Sequence, residues 1–163
     1  MNPHVLSWDQ YFMSMAKIAA MRSKDPHTQV GACIVNRQKR IVGLGYNGFP
    51  RGCSDEEYSW DREGEFLETK YPYVVHAELN AILNSIQNLE GCSIYVSLFP
   101  CNECAKAIIQ SGIDRVVYED DKYWGSEGNT ASKKMFADAG VELVRLPYYT
   151  DVQVRIEEPR CPE

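Results

Sequence analysis

The chain has no run of about 18 apolar residues, the length a membrane-spanning helix needs, within its 163 residues. Its opening, MNPHVLSWDQ, lacks the basic and apolar regions of a secretory leader. It also lacks a block of lysines and arginines: 17 basic residues are scattered among 23 acidic ones, for a net charge of −6. Binding a polynucleotide rests on many phosphates neutralised along one track, so a polymeric nucleic acid partner is not expected. A small ligand with one phosphate is a different case, because a few cations and amides suffice. No repeat, linker or low-complexity tract divides the chain. It reads as one cytosolic domain over 1–163, with no membrane partner and with 147–163 as an appendage.

Histidine is scarce too, with three in the chain. His4 has no assignable role, and His27 in DPHTQ reads as an exposed loop residue, which leaves His76. The six cysteines are Cys33, Cys53, Cys92, Cys101, Cys104 and Cys161. In a cytosolic chain such thiols are reduced, buried, catalytic or metal-bound. Cys33 in VGACIV and Cys92 in GCSIYV read as core thiols, and Cys161 in RCPE as a tail thiol.

Periodicity outlines the elements. A Ser-x-x-Gln capping box at Ser7 opens a helix over 7–22. VGACIVN and RIVGLGYN flank a polar turn and read as a hairpin. From 48 to 72 the pattern dissolves into glycine, proline and charge. Segments of that kind inside a domain are commonly functional or disordered, and Tyr58, Trp60 and Phe66 point to packing. Then come AELNAILNSIQ (helix), SIYVSLF (strand), CNECAKAIIQS (helix), RVVYE (strand), TASKKMFADA (helix) and VELVRLP (strand). The alternation implies an α/β three-layer sandwich, with a mixed sheet of about five strands and helices on both faces. Lys17, Lys106 and Ser132–Lys134 read as solvated helix faces; Trp8, Trp60 and Trp124 read as packing residues.

The chemistry concentrates at two strand-to-helix corners. In PCNEC, Cys101 and Cys104 stand at i and i+3 at a helix start, on one face, where the helix dipole favours thiolates. A C-x-x-C alone is either a metal half-site or a redox pair. His76, at the corner opening AELNAI, supplies a third ligand. Two cysteines and a histidine leave a fourth position on zinc, the layout of a catalytic site. Cys53 remains the one candidate for a fourth protein ligand. Glu78 stands two residues after His76, and H-x-E…P-C-x-x-C is a known signature of zinc deaminases of nucleobases. Zinc lowers the pKa of a bound water to roughly 7. Glu78 is then the expected proton carrier, first to the ring nitrogen beside C4 of a cytosine and then to the departing amine.

On these residues the sequence resembles the deoxycytidylate (dCMP) deaminases of the cytidine deaminase-like superfamily. SKDPHTQVGACIV, GLGYNGFPRGCSD, TKYPYVVHAELNAI, LFPCNECAKAIIQSGI and DKYW carry the resemblance. The resemblance implies hydrolysis of dCMP to dUMP and ammonia, supplying dUMP for thymidylate synthesis. It implies zinc on His76, Cys101 and Cys104, Glu78 as proton shuttle, and substrate contacts at Asn47, Ala77 and Tyr123, the last near the phosphate. It further implies a homo-oligomer, commonly a hexamer, activated by dCTP with Mg2+ and inhibited by dTTP. The 48–72 segment then becomes a nucleotide-sensing loop, with Gly43, Tyr46, Asn47, Gly48 and Arg51 nearest the effector. Arg22, Lys24 and Arg51 are candidate phosphate contacts. A second zinc, present in some viral members, is not expected in a loop that holds Cys53 but no histidine.

From the residues themselves, three other functions stand beside this one. They are a polynucleotide deaminase, a zinc-stabilised binding module without turnover, and a deaminase of free nucleosides or bases. Net acidity opposes the first, Glu78 the second, and the GYNG loop the first again.

Overall fold

Apolar side chains alternate along the strands, and the alternation builds one core on each side of a single sheet. The computed structural model describes residues 2–159. In chain order it holds α1 (Trp8–Ala20), β1 (Gly31–Val35), β2 (Ile41–Tyr46), a 3-10 turn (Phe66–Glu68), α2 (Ala77–Asn84), β3 (Ser93–Leu98), α3 (Asn102–Gln110), β4 (Arg115–Asp120), α4 (Glu127–Asp138) and β5 (Glu142–Arg145). The sheet order is β2-β1-β3-β4-β5. β1 pairs antiparallel with both β2 and β3, whereas β3, β4 and β5 run parallel.

Ala32, Ile34, Ile94, Val96, Val116 and Tyr118 point to one face, where Ala77 and Ala81 of α2, Ile108 of α3 and Phe136 of α4 cover them. Cys33, Val35, Tyr95 and Val117 point to the other, beneath Phe12, Met13 and Ala16 of α1. This is the expected three-layer sandwich. Both core thiols, Cys33 and Cys92, are buried as expected. The Ser7 box forms: Gln10 N donates to Ser7 Oγ (3.2 Å) and Ser7 N to Gln10 Oε1 (2.8 Å). No helix among the described residues is long and apolar enough to cross a membrane.

Several elements differ from the periodicity. α2 ends at Asn84 rather than running to 87, because Ser85 turns extended and its hydroxyl donates to Val42 O of β2 (2.9 Å). α4 begins three residues early, where the Ser126 hydroxyl accepts from Asn129 N (3.2 Å). Lys17 and Lys133 are not merely solvated. Lys17 pairs with the buried Glu119 (2.7 Å) and Lys133 with the buried Asp121 (2.7 Å). Glu119 also accepts from Thr150 N (2.6 Å), which seats the chain after β5 against the sheet. In the irregular segment Tyr58 and Trp60 pack on Phe49, with ring centroids 5.3 and 4.1 Å away, whereas Phe66 is exposed. Trp124 is also exposed rather than packed, on the turn that follows Asp121. Cys161 lies outside the described residues.

Strand direction gathers the candidate residues on one edge. β3 and β4 end there together, with Leu98 opposite Asp120. Because β1 runs against both neighbours, its first residue and the last of β2 lie there too, Gly31 opposite Tyr46. A bridge between Gly48 and Val75 delivers the chain to α2 at the same edge. The carboxyl ends of strands are where open α/β sheets place ligands.

Candidate active site and metal centre

His76 and Cys101 occupy equivalent positions, each capping the N-terminus of a helix with extended backbone, and Cys104 lies one turn into α3. The His76 Nδ1 is 3.3 Å from Cys101 Sγ and 3.5 Å from Cys104 Sγ. Tetrahedral zinc with ordinary Zn–N and Zn–S lengths places nitrogen and sulfur about 3.5 Å apart. The side chains are therefore already spaced for that ion, with a borderline-soft donor set to match. Among the described residues the group consists of these three alone; Cys53 lies elsewhere, which removes it as a fourth ligand.

Without a metal ion the three groups share their protons unevenly. The Cys104 thiol donates to Cys101 and, with the His76 imidazole alongside and against the cost of burial, holds the Cys101 thiol down to about 4. The hydrogen bond to Cys101 pushes His76 up to about 9 despite burial. The Cys101 sulfur and then burial push Cys104 up. Without metal the trio thus carries one thiolate beside an imidazolium.

Glu78, in the first turn of α2, is 4% exposed, and burial above all raises its carboxyl above the usual carboxylate range. A carboxyl raised in this way holds a proton more readily than a free one, which suits a group that must give a proton as well as take one.

These groups open onto a cavity of about 290 Å³. His76, Ala77, Glu78 and Cys101 line it, with Asn47 and Tyr123 from the sequence candidates, and Leu98 and Phe99 as apolar wall. The Asn47 amide is largely committed. Its Nδ2 donates to Thr28 O (2.9 Å) and Asp25 Oδ2 (3.3 Å), and its Oδ1 accepts from Val30 N (2.8 Å). What Asn47 keeps for a ligand is one acceptor lone pair on Oδ1.

Gly43, Tyr46, Gly48 and Arg51 do not line this cavity. Gly43 is buried under α2, where an added Cβ would stand 2.5 Å from Ser85 Oγ. Gly45 receives α2: a Cβ there would meet Ala77 O and Ala81 N at 2.3 Å. Sequence reasoning missed Asp25, Arg62, Lys70, Tyr71 and Asn129, all in the cavity wall. Asp25, Lys70 and Tyr71 had a signal, since SKDPHTQVGACIV and TKYPYVVHAELNAI both carry the family resemblance; Arg62 lies where no period is present.

A mixed five-stranded sheet with H-x-E and P-C-x-x-C at adjoining corners defines the cytidine deaminase-like class. Residues 6–120 match the cytidine and deoxycytidylate deaminase zinc-binding region. The chain belongs to that family and is a hydrolase of cyclic amidine C–N bonds. It is 55% identical over 152 residues to the deoxycytidylate deaminase of Mus musculus, covering 91% of this chain and 85% of the relative. It is 58% identical over 138 residues to that of Homo sapiens, covering 83% and 78%. Its fold matches the crystal structure of dCMP deaminase from the cyanophage S-TIM5 in complex with dCMP and dUMP. That match has a TM-score of 0.69 and 26% identity, over 90% of this chain and 99% of that one.

Proposed function

We propose that the chain is a zinc-dependent dCMP deaminase, converting dCMP and water to dUMP and ammonia. The observation that carries this is the buried Glu78 in the same cavity wall as His76 and Cys101. Two curated relatives above 50% identity are deoxycytidylate deaminases, and a structural neighbour holds dCMP and dUMP.

His76 Nδ1, Cys101 Sγ and Cys104 Sγ would hold zinc, which supplies Lewis acidity and a water whose pKa is lowered to roughly 7. Leu98 and Phe99 give a flat ring an apolar slot beside the metal ligands. Asn47 Oδ1 accepts from a donor on the nucleoside. The Ala77 N–H, at a helix start without an intrahelical acceptor, is free for a ring carbonyl. Glu78 takes a proton from the attacking water and delivers it to the ring nitrogen beside C4. It then takes the proton of the new C4 hydroxyl and passes it to the amine; the C4–N bond breaks, ammonia leaves and C4 becomes a carbonyl.

The same reading includes a homo-oligomer, commonly a hexamer, regulated by dCTP with Mg2+ and by dTTP, with Tyr46, Gly48 and Arg51 near the effector. It includes a cytosolic location, which the five free cysteines among the described residues support. Ammonia release from dCMP and from deoxycytidine by zinc-loaded protein tests it. Turnover of dCMP with a clear preference over deoxycytidine is expected. Turnover of deoxycytidine alone would make it a nucleoside deaminase, and turnover of neither would overturn the substrate assignment.

A further inference from the structure

The cations that sequence position recommends for a phosphate are not at the cavity. Lys24 is paired with Asp55, and Arg22 lies over the Tyr46 ring, 6.0 Å from its centroid. Neither they nor Arg51 line the cavity. Two cations do, Arg62 and Lys70. Their situations differ. Lys70 is buried and its ammonium is spent on Asp25, whose side chain is 1% exposed. Arg62 is exposed, and among the described residues no carboxylate oxygen lies within 4.0 Å of its guanidinium. It forms, with Tyr71, the wall between the cavity and a shallower hollow that also includes His27, Asp61 and Glu63.

The cavity is polarised along its depth. Its inner end holds the buried Glu78 beside the His76–Cys101–Cys104 trio. Its mouth holds Arg62 and the half-exposed phenols of Tyr71 and Tyr123, with the Tyr71 hydroxyl beside the guanidinium. A nucleotide must send its amino-bearing carbon to Glu78. Its phosphate, the most strongly hydrated part, then comes to rest at the mouth, where it loses least water. An arginine fork matches two phosphate oxygens at once, and phenol hydroxyls donate to a third.

From this arrangement we infer that Arg62 is the specificity-determining residue that recognises the substrate's 5′-phosphate, with the Tyr71 hydroxyl as its partner beside Tyr123, which the family resemblance already implies near the phosphate. The inference rests on the nucleotide deaminase reading above and deepens it. Lys70 has a separate role: it holds Asp25, and through Asp25 the Asn47 amide.

The test compares wild type, Arg62→Ala and Arg62→Lys, each loaded with zinc. A charge-assisted contact of this kind accounts for about 10- to 100-fold in binding. Arg62→Ala should lower the ratio of kcat/KM for dCMP over deoxycytidine by that factor, mostly through KM. Arg62→Lys should recover part of it, since charge returns without the fork. Equal loss on both substrates, or no change in the ratio, would overturn the assignment. A second arm measures equilibrium binding of deoxyribose 5-phosphate by calorimetry, with no turnover required. Binding that weakens at least tenfold in Arg62→Ala supports the phosphate site even if dCMP proves the wrong substrate. Binding equal in both proteins, or absent from wild type, rejects it whatever dCMP does.

Discussion

Lys70 and Asp25, 45 residues apart in sequence, form an ion pair whose side chains are 10% and 1% exposed. Asp25 is costly to bury, yet the Lys70 ammonium and the N–H groups of His27 and Thr28 together hold its carboxyl below the usual range. The pair joins the loop before β1 to the segment that leads into His76. Lys70→Met leaves a buried carboxylate without its countercharge, at a cost of about 3–5 kcal/mol. A folded pKa that is lowered adds stability above the unfolded value of about 4, which disappears as pH falls through the folded value. The gap between wild type and Lys70→Met should therefore be full at neutral pH and narrow toward pH 4. Denaturant unfolding at several pH values checks this.

Metal-free protein should contain one thiolate well below neutrality. Cys101 is held to about 4, so it stays ionised at pH 6 and becomes protonated only as pH approaches that value. Its neighbour Cys104 is shifted the opposite way. A thiol-specific reagent at pH 6 should show one fast-reacting cysteine in the metal-free protein. Cys101→Ser should abolish that reaction, and zinc should suppress it in wild type.

Gly45 sets how closely α2 lies on β2. Gly45→Ala places a methyl group 2.3 Å from two backbone atoms of α2, and neither can yield without moving the helix. Overpacking of this kind costs about 1–3 kcal/mol. Because α2 carries Glu78 and follows His76, activity should fall too. Ser7→Ala is the control: loss of the cap costs about 1 kcal/mol at a helix on the opposite face of the sheet, and kcat should be unaffected. Thermal unfolding and steady-state kinetics on both variants separate the two effects.

How far the chain could be read ahead of its structure follows from the range of the interactions. The Ser7 cap, the hairpin and the two strand-to-helix corners are local patterns, and each is found where its spacing indicates. Distant pairings leave no local mark. Lys17 and Lys133 read as solvent-facing because Glu119 and Asp121, their buried partners, sit on β4 or just after it. Nothing in GLGYN says that a helix will land on Gly45. Arg62 lies in the one long segment without a period and outside every motif of the family resemblance, so nothing local marks it as a cation that reaches the cavity.

The most direct measurement is ammonia release from dCMP by zinc-loaded wild type and Glu78→Gln, with zinc content and thermal unfolding recorded for both. Glutamine keeps the shape of Glu78 but cannot carry a proton. A loss of at least about 100-fold in kcat is expected, with one zinc per chain and an unchanged fold. Turnover that survives in Glu78→Gln at near wild-type rate would contradict the proton-carrying role of Glu78.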